Sequence, residues 1–152
     1  MTSYGENQIA DLMAGRLGPD DLQQLQRQPK DAGRAALVRQ VAQERLGWAD
    51  TILLCLQEHL YIVGEPETAT VRCDCGHDFG DYRRNWKDAA LVFERDPGDG
   101  LVYRGPRAAS ADWNVLREFY CPGCAVQLDV EVVPRGYPFV FNFRPDESEL
   151  SS

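Results

Sequence analysis

The chain has 152 residues, of which 43% are hydrophobic, and its 24 acidic and 16 basic residues give a formal net charge of -8. This length fits one ordinary globular domain with room for a separate helical arm. A surface with this charge repels phosphate backbones and anionic lipids, so we expect neither nucleic acid nor a membrane as partner.

The first 50 residues predict three short helices, which we expect to form an N-terminal helical arm over residues 1–50. Pro19 follows a glycine and begins the second helix, Pro29 stops it, and Gly47 ends the third. The arm has no sizeable core of its own, so it is expected to pack on the rest of the chain or on a partner, the alternative being a solvated cap. Its apolar stripes comprise Ile9, Leu12, Met13, Leu17, Leu22, Leu25, Leu37, Val38, Val41, Ala42 and Leu46.

Strand patterns begin after Asp50 and predict a small antiparallel β domain over residues 51–146. The strand-like runs are TILLCL, LYIVG, TATVR, a hairpin in ALVFERDPGDGLVYRG, AVQLDVEVV, and the alternating phenylalanines Phe139, Phe141 and Phe143. AVQLDVEVV places Val126, Leu128, Val130 and Val132 on one face and Gln127, Asp129 and Glu131 on the other. Residues 147–152 read as a short polar tail. The predicted fold class is therefore α+β, with N-terminal helices followed by a β domain that carries a zinc-ribbon-like four-cysteine site.

The longest apolar run, TILLCLQEHLYIV, is interrupted by Gln57, Glu58 and His59 and is shorter than the roughly 18 to 20 residues of a membrane span. The N-terminus MTSYGENQIADL has neither the basic start nor the apolar stretch of a secretory signal. We therefore expect a cytoplasmic protein. In a reducing compartment, closely spaced thiols are more often metal ligands than disulfide partners.

Two cysteine pairs predict a metal site. Cys73 and Cys75 follow one strand, and Cys121 and Cys124 follow another, separated by Pro-Gly. Two such pairs from distant strands supply the four thiolates of a structural zinc site, which leaves no open coordination position for catalysis. Free buried thiols, a redox dithiol and a rubredoxin-like iron site are the alternatives, although the second pair leads into a strand rather than a helix N-terminus.

The remaining histidine and cysteine residues receive simpler interpretations. His77 follows Cys75 by two residues, and we favour a hydrogen bond to a thiolate over direct ligation of the metal. Cys55 lies inside ILLCL and is predicted to be a small buried hydrophobe. His59 has no partner that the sequence identifies.

No motif for catalysis accompanies the cysteines. The sequence lacks a phosphate-binding P-loop, a G-x-G-x-x-G turn, H-E-x-x-H and G-x-S-x-G, so we predict no catalytic residue in this chain. FGDYRRNWKDAA interleaves aromatic and cationic residues, as do Trp113, Arg117, Phe119 and Tyr120. These residues either fill a small core or anchor an interface. The competing hypothesis is a free-standing zinc-ribbon adaptor that binds nucleic acid or a regulatory protein.

Taken in order, VRCDCGHDFGDYRRNWK, REFYCPGCAVQLDVEVV and GYPFVFNFRPD resemble the small zinc-binding, gamma-type subunit of the acetone carboxylase and acetophenone carboxylase family. The resemblance extends upstream through LGPDDLQQLQRQPKD and ERLGWADTILL and so covers most of the chain. It implies structural Zn²⁺ on Cys73, Cys75, Cys121 and Cys124.

The resemblance also implies membership of a cytoplasmic complex that carboxylates a ketone with bicarbonate and ATP to a β-keto acid. ATP, any catalytic metal and the ketone chemistry would reside on large hydantoinase- and oxoprolinase-like subunits, so this chain would be a noncatalytic part of an enzyme. Acetone-type members extend well beyond the F-x-P-D segment, whereas this chain ends soon after Asp146, which favours the aromatic-ketone type.

Overall fold

The computed structural model describes residues 5–98 and 109–150. Three helices come first: α1 (Glu6–Met13), α2 (Pro19–Arg27) and α3 (Arg34–Leu46). Pro19 opens α2, where its missing N–H costs no hydrogen bond, and Gly47 ends α3 in the left-handed region at φ 60°. The three predicted short helices, with these two boundaries, are confirmed.

A four-stranded antiparallel sheet follows the helices and is called the first sheet. Its strands β1 (Ile52–Gln57), β2 (Leu60–Val63), β3 (Thr70–Cys73) and β4 (Asp78–Asp81) pair in chain order. The first three correspond to the predicted runs TILLCL, LYIVG and TATVR. The strand that leads into the first cysteine pair is therefore held in the middle of a regular meander.

The helices pack on one face of the first sheet. Ile9, Leu25 and Val41 bring α1, α2 and α3 together in a small cluster. Ala42 of α3 is fully buried and continues into a second cluster against the sheet, formed with Ile52, Tyr61 and Val63. The helical arm therefore has a small core of its own and also covers the sheet.

A three-stranded antiparallel sheet, the second sheet, is formed by β5 (Leu91–Arg95), β6 (Asn114–Tyr120) and β7 (Gln127–Pro134), with β6 in the centre. A short 3₁₀-helix, Trp86–Ala89, connects the two sheets. The last described element is α4 (Glu147–Leu150). It lies in the predicted polar tail, but its Leu150 is buried in the main core.

The main core lies between the two sheets. A chain of edge-on aromatic contacts runs from Phe79 through Trp86 and Phe119 to Phe139, with ring centroids 5.2 to 6.1 Å apart. The other buried members include Leu60, Ile62, Ala69, Val71, Cys73, Tyr82, Cys121 and Leu150. Helices followed by two small antiparallel sheets around a four-cysteine cluster confirm the predicted α+β class.

Among the described residues, one predicted strand is absent and only the first strand of the predicted hairpin is present. Phe139, Phe141 and Phe143 do not lie in a strand, so that prediction was wrong. Phe139 packs edge-on against Phe119, and its carbonyl accepts a hydrogen bond from the Asn85 side chain at 3.2 Å instead of from a neighbouring strand. In the predicted hairpin, β5 is present, while the second run, at 101–104, lies outside the described residues.

Among residues 5–98 and 109–150, none of the helices has both the length and the apolar character needed to cross a bilayer.

Candidate metal centre

The four predicted ligands lie on two turns that come from different sheets. Cys73 is the last residue of β3, and Cys121 directly follows β6. Each turn carries its second cysteine two or three residues later, at Cys75 and Cys124. Because β3 and β6 both border the main core, packing of the two sheets brings the pairs together.

The four thiols form a compact cluster. All four Sγ atoms lie within 4.8 Å of one another. The Sγ of Cys73 lies 3.8 Å from that of Cys124, and the Sγ of Cys75 lies 3.7 Å from that of Cys121. A tetrahedron of thiolates with Zn–S distances of about 2.3 Å has S···S edges of roughly 3.8 Å. The spacing of the thiols therefore fits a tetrahedral metal ion.

Backbone hydrogen bonds fix the shape of both turns. The N–H of Cys73 donates to the carbonyl of His77, and the N–H of Gly76 donates to the carbonyl of Cys73, at 2.9 and 2.8 Å. In the second turn the N–H of Ala125 donates to the carbonyl of Cys121 at 2.8 Å. The N–H of Gly123 donates to the Cys121 Sγ at 3.4 Å, which helps to fix the position of that sulfur.

The thiols differ in exposure and in acidity. Cys73 and Cys121 are buried, whereas Cys75 and Cys124 are exposed. Burial raises the pKa of the Cys73 thiol well above its ordinary value. Burial opposes ionisation of Cys75 as well, but hydrogen bonds with the His77 backbone and the other thiols lower its pKa. A cation that binds here must displace protons from the cluster, and it can enter from the exposed side.

His77 lies beside the cluster, and its ring nitrogens are not among the clustered ligand atoms. Its ring packs edge-on against Phe79, with the centroids 5.0 Å apart, and its backbone carbonyl holds the N–H of Cys73. These contacts suit a residue that shapes the first turn. That His77 stays outside the coordination shell remains a prediction.

Gly123 supplies a testable constraint on the cluster. A Cβ at this position would lie 2.9 Å from the His77 Cβ and 3.1 Å from the Cys75 Sγ, closer than normal contacts allow. We expect Gly123→Ala to displace the first turn and to weaken metal binding by about tenfold or more. Competition with a chromophoric zinc chelator measures the affinity. Gly5→Ala is the control, since a Cβ there meets nothing within 4 Å, and equal affinity of both variants would contradict the expectation.

A polar cluster that the sequence did not reveal ties the metal turn to α3. Asp74, between two of the cysteines, accepts hydrogen bonds from His59 Nδ1 at 2.7 Å and from Arg45 Nη2 at 3.0 Å. Arg45 also donates to the Tyr61 hydroxyl at 2.5 Å. Although burial opposes ionisation, these donors hold the pKa of Asp74 below its usual value. Asp74 lies 15 residues after His59 in the sequence, so no spacing rule indicates it as the partner of His59.

Cys55 lies apart from the four clustered cysteines. It is half-buried and packs against the cluster of Ile52, Tyr61 and Val63, as predicted for a small hydrophobe. Burial raises the pKa of its thiol to about 11. It lines a cavity of about 320 Å³ together with His59 and Asp74.

The aromatic and cationic segment before β5 is mainly a core segment. Tyr82 and Trp86 are buried, and Arg83 pairs with the Asp81 carboxylate at 2.8 Å. Lys87 has 1% of its side chain exposed, and Nζ bonds to Asp129 at 2.6 Å and to Glu131. Of the second set, Arg117 and Phe119 are buried and Trp113 is 76% exposed. Core filling, one of the two expectations, is thus confirmed for the aromatic residues Tyr82, Trp86 and Phe119.

Comparison with known proteins identifies the family. A family model described as the acetone carboxylase gamma subunit matches residues 46–152, which is more than half of the chain. The chain belongs to the acetone carboxylase gamma subunit family. The resemblance inferred from the order of the motifs is therefore confirmed, and the acetone carboxylase gamma family now provides the context for the cysteine cluster.

Two relatives of this acetone carboxylase gamma family member span both ketone types. The acetone carboxylase gamma subunit of Xanthobacter autotrophicus (strain ATCC BAA-1158 / Py2) is 40% identical over 148 residues, covering 95% of this chain and 88% of that protein. The acetophenone carboxylase beta subunit of Aromatoleum aromaticum (strain DSM 19018 / LMG 30748 / EbN1) is 35% identical over 83 residues, covering 52% of this chain and 64% of that protein. The acetone-type relative has the higher identity and coverage, which gives no support to the aromatic-ketone expectation.

Proposed function

We propose that this protein is the small, noncatalytic zinc subunit of an ATP-dependent ketone carboxylase complex, in which it stabilises or scaffolds the large subunits. The observation that carries the proposal is the cluster of four thiols joining two sheets in a member of the acetone carboxylase gamma subunit family. The reaction of such a complex joins a ketone and bicarbonate, at the expense of ATP, to give a β-keto acid.

Cys73, Cys75, Cys121 and Cys124 would hold the zinc ion. Bound zinc supplies a fourfold link between the turn after β3 and the turn after β6, and four thiolates leave no position for a water molecule. The role of the zinc site in this chain would then be structural: it would fix the relative position of the two sheets. The same donor set would also suit iron, which metal analysis and the absence of colour in the purified protein would exclude.

Catalysis is assigned to the large hydantoinase- and oxoprolinase-like subunits. The sequence contains no motif for ATP binding or nucleophilic catalysis, and the four clustered thiols would all serve as ligands of the proposed metal ion. The alternative of a free-standing nucleic-acid adaptor depended on the RRNWK segment. It loses support because Trp86 and Lys87 are buried and Arg83 is paired, which leaves few groups for a phosphate backbone.

Purification of the native protein tests the proposal. A tag on this chain, expressed from its own locus, should recover large carboxylase subunits in a fixed ratio, and the complex should turn over ATP with ketone and bicarbonate. Removing this chain from the complex should reduce its assembly. Recovery of the chain as a free monomer from its own cell extract, with no large subunit, would sink the proposal.

A further inference from the structure

The second sheet presents apolar side chains to the outside. Strand register places Phe93, Glu118 and Val130 in one cross-strand row and Arg95, Leu116 and Val132 in the next. Opposed residues in neighbouring strands project from the same face of a sheet. We call the apolar residues of this face, Leu91, Phe93, Val130 and Val132, the outer patch; they are 54%, 52%, 44% and 53% exposed.

A row of charged residues lies on the opposite face of the second sheet. Glu94, Arg117 and Glu131 form one cross-strand row on the opposite face, where Arg117 bonds to Glu94 at 3.0 Å and Lys87 bonds to Glu131. Arg117 and Lys87 are 2% and 1% exposed. In a strand with one apolar and one polar face, the apolar face usually packs against the core. In β7 this arrangement is reversed at Val130 and Val132.

One ion pair at the outer patch is satisfied within the sheet. Arg95 Nη2 donates to the Glu118 carboxylate at 2.7 Å, and the Tyr120 hydroxyl donates to the same oxygen at 2.9 Å. Glu118 is buried under its neighbours. The two charges at the centre of the outer patch therefore neutralise each other. A partner does not need to supply an opposite charge, so an apolar and nearly neutral partner surface is complementary to the patch.

We infer that the outer patch is the surface by which this chain docks on a large carboxylase subunit, an inference that rests on the proposed function. Four half-exposed side chains present only a few hundred Å² of apolar area, whereas a stable pair of proteins buries about 800 Å² on each partner. Two copies would also each bring a net charge of -8. A second copy is therefore the poorer occupant, and a large chain with further contacts around the patch is the better one.

A charge-insertion pair tests the inference in the complex. Phe93→Lys with Val130→Lys places two cations in the row that already contains Glu118, on side chains that are half exposed. We expect the affinity for the co-expressed large subunits to fall about a hundredfold or more. The variant should keep the zinc content and thermal unfolding midpoint of the parent, because the inner face is untouched. Biolayer interferometry with immobilised large subunits measures the affinity.

The matched control is Phe143→Lys with Val140→Lys, which makes the same two exchanges outside the second sheet. Phe143 and Val140 are 50% and 41% exposed. Equal losses in both pairs, or unchanged affinity of the outer-patch variant, overturn the inference while leaving the proposed function standing. A parent chain that binds no large subunit removes the proposed function and the inference together. A homodimer of the isolated chain that the outer-patch exchanges dissociate would assign the patch to a second copy and also overturn the inference.

Discussion

Cys121→Ser is expected to abolish stable zinc binding and to lower the thermal unfolding midpoint by roughly 10 to 20 °C. Cys121 is fully buried, and its Sγ lies 3.7 Å from that of Cys75 in the cluster. Structural zinc contributes about 10 to 16 kcal/mol in small zinc domains, so loss of one thiolate is expected to cost on the order of 5 kcal/mol here. A chain of this size changes its midpoint by about 2 to 4 °C per kcal/mol.

Elemental analysis of the purified variant and differential scanning calorimetry measure the two effects. Cys55→Ala serves as the control, because Cys55 is a half-buried cysteine outside the metal cluster, and it should keep one zinc ion per chain. If Cys121→Ser retained zinc at the parent's stoichiometry and affinity, the four-thiolate site would be wrong. Zinc removal from the parent by a strong chelator should reproduce the loss of stability.

Lys87→Met is expected to destabilise the fold by about 3 to 5 kcal/mol without removing zinc. Lys87 is 1% exposed, lies 5.0 Å from the centre of the Phe119 ring, and bonds to the Asp129 and Glu131 carboxylates. Without its ammonium group, the carboxylates of Asp129 and Glu131 lose their nearest cation, and only the Arg117 guanidinium remains near Glu131, at 3.8 Å. Removal of one partner of a buried ion pair is costly because the remaining charge stays desolvated.

A second exchange separates charge from shape. Lys87→Met combined with Glu131→Met should recover much of the lost stability, since the more deeply buried carboxylate is gone and Asp129, with 26% of its side chain exposed, keeps some hydration. Arg117 keeps its hydrogen bond to Glu94 in that variant. Urea unfolding curves of the parent, single and double variants measure the difference. A single variant as stable as the parent would refute the inferred importance of the buried charges.

The cysteine site was the part of the structure that the sequence indicated best. Cys73 ends β3, which the run TATVR predicts, Cys121 directly follows β6, and the turn after each strand has few conformations. The helix boundaries at Pro19 and Gly47 were also predictable, because both residues act through their own backbone geometry. Such signals are local and do not depend on the rest of the fold.

Other features could not be read from the sequence. Phe139, Phe141 and Phe143 alternate like a strand, but no strand of the described residues pairs with them, and Phe139 packs on Phe119 instead. His59 and Asp74 are 15 residues apart, and the antiparallel pairing of β2 with β3, which sets Leu60 opposite Cys73, brings them together. A spacing pattern does not reveal such a partner, because the contact depends on how the sheet folds.

The sequence by itself determined the family, the four clustered cysteines, the helical start of the chain and the alternation of β7. Only the tertiary structure decided which face of β7 is buried. Alternation sets a period of two residues but gives no direction. Lys87, from a 3₁₀-helix 44 residues before Glu131, bonds to the acidic face and holds it inward. Val130 and Val132 are consequently left on the outside, where a partner can cover them.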